Sequence, residues 1–423
     1  MNAFLRCAVL FVGGLIVNGH AADIPTSLDP SAVPRVPVPK SPYIAVVYRY
    51  ADTMLEKGRD TVGPQKTGLL LSALDRNTFA PPPNLPVANP QHDENLLRLL
   101  YTLSELTLKP VYRDAADAEL KWLLQNAASP LAAWDVVKDE PIADNSGSLF
   151  RPWMLWDRCF DLAADPSKQF ALGIKDASDT PREGGFELRT WAVAYARSKD
   201  EQFLKKIAAS LDALEKERDI ANAAASLSLA IDCDGAALRL PAAIASRLRA
   251  IAARADAAFC ALPHDLTMKG GFANGGDAVT PLWVAQGKGM TTAQVGMMCV
   301  ARYENTGDTR YRELMHAAAE TYLGSMPAAE DDVWPGTLGQ AISLQLAAWC
   351  STARQAHFNR AREFGDIALA KFFGENPLPR ASLGSDHYES RTGADTLALA
   401  LLELHLHVLH ITAARCPPNT IDR

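Results

Sequence analysis

Three segments of this chain gather residue types that can do polar chemistry. Asp386-His387-Tyr388-Glu389-Ser390-Arg391 sets two acids, an imidazole, a phenol and a guanidinium within six positions, just before a helical pattern. Pro181-Arg182-Glu183-Gly184-Gly185-Phe186 places an arginine–glutamate pair before two glycines and an aromatic helix start. Phe150-Arg151-Pro152-Trp153 and Trp156-Asp157-Arg158 alternate aromatics with charges, a surface on which a sugar ring stacks while its hydroxyls are hydrogen-bonded. A guanidinium grips a carboxylate through two parallel hydrogen bonds, so Arg182 or Arg391 is the natural anchor for a uronate. For one such segment alone, helix capping and loop-fixing ion pairs explain the same residues. Three on one face of a fold favour a ligand cleft, with Arg391, Glu183, Trp156, Arg158 and Glu389 as its substrate-binding residues.

Other chemistries lack their motifs. The chain has no P-loop, no GxGxxG after a strand, no HExxH, no GxSxG and no CxxC. His405, His407 and His410 are close in sequence, but the i, i+2, i+5 spacing does not bring all three to one helix face. No metal ligand is assigned, and no tightly bound transition metal is expected. Glu183 is the residue that could meet a hard divalent cation.

The elements that must hold these residues are helical hairpins. Leu96, Leu99, Leu100, Leu103 and Leu106 repeat at helical spacing, break at Lys109-Pro110, and give way to a second helix through Tyr112, Ala116, Leu120 and Leu123. The design returns with Trp191 to Tyr195, the turn Ser198-Lys199-Asp200 and Phe203. It returns again as Val300 to Tyr303, Thr306-Gly307-Asp308 and Tyr311, and once more as Leu344 to Ala348, a turn at Arg354-Gln355 and Phe358. Weaker hairpins fill Ile220 to Phe259. The aromatic after each turn (Tyr112, Phe203, Tyr311, Phe358) is expected to pack back across its hairpin. Strand patterns are nearly absent.

Repeated hairpins build an open solenoid or a closed ring. Unequal spacing and long insertions favour the ring, an all-α α/α toroid. The insertions are Pro81 to Pro90, Pro130 to Pro152, Asp176 to Gly185, His264 to Gly289, Pro327 to Gly336 and Asn376 to Gly393. Most precede the first helix of a hairpin, so several should gather at one mouth, where loops carry function. Closure is expected where the Tyr43 to Leu55 helix meets Asp395 to His410.

Arg6, the apolar run Ala8 to Val17 and the small residues near Ala21-Ala22 form a signal peptide over residues 1–22, too short to span a bilayer. A Pro-rich leader over 23–42 and a single domain over 43–423 follow. The protein is therefore expected to be secreted or periplasmic, with no membrane span. A net charge of -7 argues against a nucleic-acid partner. Six cysteines remain beyond the signal, and the sequence leaves open whether they pair.

Several stretches resemble exported bacterial proteins related to the family 2 pectate lyases. They are Tyr50 to Thr53 with Glu56 to Asp60, Ser72 to Asp75, Asn95 to Leu100, Pro181 to Phe186, and Tyr388-Glu389 through Asp395 to Ala398. The resemblance implies an α/α barrel that cleaves a uronate polymer by β-elimination, with an arginine as base and a divalent metal neutralising the carboxylate. It matches Arg182 to that arginine; where the family places a histidine next, this chain has Glu183.

Three readings follow. The first is a polysaccharide lyase acting on an acidic oligo- or polysaccharide, with Arg182, Tyr388 and His387 as the proton-transfer groups. The second is a glycoside hydrolase, drawing two carboxylates from Glu183, Asp157, Asp386 and Glu389. The third is a non-catalytic glycan-binding or scaffold protein.

Overall fold

The computed structural model describes residues 41–83, 87–126, 133–142, 155–174, 186–216, 223–267, 270–274, 278–283, 290–328 and 331–409. The signal and most of the leader expected from the sequence lie outside them. Helices dominate. They are α1 (Pro42–Lys57), α2 (Glu94–Thr107), α3 (Pro110–Asn126), α4 (Trp156–Leu162), α5 (Ala164–Gly173), α6 (Phe186–Ser198) and α7 (Glu201–Lys216). After these come α8 (Ala223–Ala237), α9 (Ala242–Ala261), α10 (Thr292–Thr306), α11 (Thr309–Leu323), α12 (Pro335–Thr352), α13 (Gln355–Ile367) and α14 (Ala394–Val408). None is long and apolar enough to cross a membrane.

Burial sorts them into two rings. Helices α2, α12 and α14 are buried nearly all round, as Ala394 to Leu402 show. Helix α7 buries only Phe203, Ile207, Ser210, Leu211 and Leu214, one stripe at helical spacing. The inner series runs α4, α6, α8, α10, α12, α14, α2, each packed on the next, and α3 bridges α2 back to α4. Each inner helix is paired with an outer one. The odd member is α1, which packs on α14 as its outer partner. The α/α toroid is thus closed where the sequence placed the closure. Ser41 Oγ lies 2.7 Å from His405 Nδ1, and Tyr43 donates to Asp366 at 2.8 Å. This contact also accounts for His405, while His410 lies outside the described residues.

The inner-to-outer turns share a device. Thr107, Ser198, Thr306 and Thr352 each end an inner helix and donate their hydroxyl to the carbonyl four residues back. Each hydroxyl then accepts the backbone N–H two residues on, from Lys109, Asp200, Asp308 and Arg354. The residue between is left-handed in every case: Leu108, Lys199, Gly307 and Ala353. Five residues after the hydroxyl comes the side chain that packs back. Tyr112, Phe203 and Tyr311 fill that place as expected; in the fourth copy His357 fills it, and Phe358 beside it also packs back across the hairpin. His357 is buried with Nδ1 2.9 Å from Gln345 Oε1, and Phe358 stacks partly exposed on Trp349.

Because the helices alternate up and down, every outer-to-inner link returns to one end of the ring. The described parts of five insertions read from the sequence fall in such links, and Asp176 to Gly185 lies outside the described residues. Among the described residues those links carry five short strands that the sequence pattern did not show. Strand β1 (Ala73–Asp75) pairs antiparallel with β5 (His387–Glu389), joining Leu74 to Tyr388. Strands β2 (Val87–Ala88), β3 (Ala133–Asp135) and β4 (Glu140–Ile142) form a second small sheet. Where α12 crosses the start of α14, glycines let the backbones touch: a Cβ on Gly393 (φ +82°) would sit 2.6 Å from Gly336 Cα. Cys159, Cys260 and Cys299 are free thiols, and Cys416 lies outside the described residues.

Between α12 and α14, the Glu403 carboxylate accepts a 2.7 Å hydrogen bond from Ser343 Oγ. Burial pushes its pKa up to about 7, opposed by the Ser343 bond and reinforced by Glu304. A raised carboxylate keeps its proton in the fold after the unfolded chain has lost it, so stability falls as pH rises from 4.5 to about 7. Glu403→Gln is therefore expected to be more stable than the parent by about 1–2 kcal/mol at about pH 8, the gap closing in acid. Urea melts at both pH values check this; a gap independent of pH would refute it.

Candidate functional site

At the loop-bearing mouth, strand alternation sorts the residues of β5. His387 and Glu389 point to one side, with His387 Nε2 3.3 Å from Glu389 Oε2, and Tyr388 points to the other. His387 is 40% exposed at its side chain and Glu389 23%. Both are open to solvent yet held by the pairing of β5 on β1.

These two line a cavity of about 340 Å³ with Asp332, Trp334, Ser385 and Arg391. Trp334 is the residue before Pro335 at the start of α12, and its extended backbone (φ -85°, ψ 149°) suits a pre-proline position. The link after α13 is tied over it: Gly384 N–H donates to Asp332 Oδ1 at 2.8 Å and Leu383 N–H to Val333 O at 3.1 Å. Arg391 sits exposed in a 3-10 turn, Ser390–Thr392, with no ion-pair partner among the described residues. The cavity therefore offers an aromatic face, two carboxylates, an imidazole and an available guanidinium.

Other sequence candidates are placed elsewhere. Tyr388 is a correction, since alternation drives it into the core. It is fully buried, its hydroxyl is 3.2 Å from that of Tyr50, and burial raises its pKa well above the usual range. A phenol so sealed holds β5 on α1 and moves no proton to a ligand. Trp156 is a second correction: it packs on Phe170 in the core at 2% exposure, so no sugar can stack on it. Arg158 is a third, because its guanidinium is engaged by Asp117 and lies over the Tyr101 ring, tying α4 to α2 and α3. Asp157 pairs with Arg239, and Asp386 with Arg76 and Arg380. Arg182 and Glu183 lie outside the described residues.

Sequence reasoning missed Trp334 and Asp332, although the insertion Pro327 to Gly336 was the signal that could have found them. It also missed how two stretches of the family resemblance meet. Asp395 at the start of α14 accepts the Leu96 N–H at 2.9 Å, and Asn95 donates to Thr396 Oγ1 at 3.1 Å, fastening α14 to α2. Asp93, Glu94 and Glu187 are further buried acids at the starts of α2 and α6, on the same mouth. Among the described residues no three His, Cys, Asp or Glu side chains converge as a metal site.

No protein-family model matches the sequence, and no curated protein does. Solved structures match over most of the chain. A D-mannose isomerase shares 8% identity at a TM-score of 0.50, covering 86% of this chain and 97% of that one. An inactive variant of the α-1,6-mannanase GH76A of Salegentibacter sp. HEL1_6, in complex with α-1,6-mannotetrose, gives 10% identity and 0.48, covering 86% and 99%. The cellobiose 2-epimerase of Spirochaeta thermophila DSM 6192 gives 13% and 0.46, covering 87% and 98%. At such identities the likeness is one of fold.

Proposed function

We propose that this is an exported carbohydrate-active protein that binds an oligosaccharide in the Trp334 cavity and hydrolyses it with Glu389 and Asp332 as the working carboxylates. The observation that carries the reading is the presence of two carboxylates and a half-buried indole in one cavity at the loop-bearing mouth. Glycoside hydrolysis asks for two acids flanking a sugar ring, one to protonate the leaving oxygen and one to activate water or attack. Trp334 supplies the apolar face on which a ring stacks. His387 lies against Glu389, and Arg391 is placed to grip an acidic substituent. Elimination, the chemistry implied by the family resemblance, asks for an arginine base, and the one matched to that role, Arg182, falls outside the described residues.

Incubating the protein with neutral and uronate-containing oligosaccharides separates the two chemistries. Hydrolysis releases reducing ends without the ultraviolet absorbance of an unsaturated sugar, whereas elimination gives both. Glu389→Gln is expected to lower turnover by about 100-fold or more, and Trp334→Ala to weaken substrate binding by about tenfold. Unsaturated product, or undiminished turnover in Glu389→Gln, would remove this reading.

A further inference from the structure

A second cavity, of about 520 Å³, lies between the turn after β1 and the end of α13. Its size falls within the range of small-molecule sites. Arg76, Phe79, Lys371, Glu375, Asn376 and Arg380 are among the residues that line it.

Its charges do not balance locally. Arg76 is 5% exposed and fixed by its Nε–H to Leu378 O at 2.8 Å and by Nη2–H to Phe372 O and Phe373 O. Among the described residues its one acidic partner is Asp386, which Arg380 shares at 3.1 Å. Burial and the neighbouring Arg380 push the Arg76 guanidinium below its ordinary range, against the pull of Asp386. Lys371 is exposed and has no ion-pair partner among the described residues. Glu375 is the acid that lines the cavity and Asp386 pairs with two of its cations, so among the described residues three cations face two carboxylates.

Two backbone features mark the same place. The chain from Ala368 to Phe373 leaves α13 as a π-helical turn, a local distortion often found at functional sites. Phe79, an aromatic residue, is held left-handed at φ +59°, its N–H donating to Asp75 O at 2.8 Å. A bulky side chain adopts that conformation only when its surroundings hold it there. The ring lies at the cavity wall, with Lys57 Nζ 4.5 Å from its centroid.

We propose that this cavity binds the carboxylate of an acidic sugar, with Lys371 and Arg380 meeting the anion and the Phe79 ring covering the apolar face of the sugar. That a sugar carries the carboxylate rests on the function proposed above; the demand for an anion rests on the charges of this cavity alone. The residues lining this cavity and the Trp334 cavity do not overlap, so the two can be tested independently.

The test is a ligand-observed NMR titration of the whole protein with D-glucuronate, D-glucose and inorganic phosphate. Glucuronate is expected to bind at least about tenfold more tightly than glucose. Lys371→Glu and Arg380→Gln should each weaken glucuronate by about tenfold or more at unchanged melting temperature, while Trp334→Ala leaves it bound. Equal affinity in the parent and in Lys371→Glu overturns the site. Loss in Trp334→Ala alone moves the anion to the other cavity and also overturns it. Phosphate binding as tightly as glucuronate overturns the sugar as carrier. None of these outcomes depends on turnover by Glu389.

Discussion

Arg302→Ala is expected to cost about 3–5 kcal/mol, the largest loss for any single polar side chain named above. The guanidinium is 1% exposed and makes charge-assisted bonds in two directions: Nη1–H to Asp234 at 2.6 Å, and Nε–H and Nη2–H to Asp256. The Tyr311 hydroxyl also donates to Asp256. Arg302 lies on α10, Asp234 on α8, Asp256 on α9 and Tyr311 on α11, so one cation joins two neighbouring hairpins. Removing it leaves two acids near each other in a largely dry interface, and their repulsion adds to the lost bonds. Solvent reaches Asp234 (26% exposed) more than Asp256 (16%), which caps the penalty on that side. Arg302→Met combined with Asp256→Asn should recover part of the loss by removing one stranded charge. Denaturant melts measure both, and a loss under about 1 kcal/mol for Arg302→Ala would show that the cluster is not what joins the hairpins.

Gly393→Ala is expected to cost about 3 kcal/mol, in two separable parts. The residue is left-handed at φ +82°, which alone costs an alanine about 1 kcal/mol. The added Cβ would also meet Gly336 Cα at 2.6 Å and Gly336 N at 3.1 Å, both backbone atoms that cannot swing aside. Gly307 supplies the control. It has a similar φ of +71°, but an added Cβ there meets nothing within 4 Å, so Gly307→Ala should show the conformational cost alone. The difference between the two variants in calorimetry is the energy of the α12–α14 approach. Equal losses would mean that the two helices can part at no cost.

Helices and hairpins were legible because burial in a double ring imposes the 3.6-residue period directly on the sequence. The turns were legible as breaks, but their chemistry was not. Thr107, Ser198, Thr306 and Thr352 look like ordinary helix residues until the left-handed neighbour of each is known. Counted from those hydroxyls, the buried place in the fourth copy is that of His357, with Phe358 packed on Trp349 beside it. The candidate site was legible in part. His387, Glu389 and Arg391 do share a cavity, whereas Tyr388 does not, because three residues of strand, too short to show as a pattern, decide which side chains face out. Trp156 and Arg158 read as a sugar platform because aromatic and charged residues alternate there. Their partners, Phe170 and Asp117, come from elsewhere in the chain and left no local trace.

The meeting of α1 with α14 sets when the molecule can begin to work. Each hairpin can form from residues near in sequence, but the Ser41–His405 contact closes a loop of 364 residues, at an entropic cost of about 5 kcal/mol for a flexible chain. The same seam carries β1 against β5, and that pairing orients His387 and Glu389. A chain still emerging from synthesis, or one whose ring has sprung open, thus has its hairpins but no assembled cavity. Competence to bind arrives late and all at once, with the last helix.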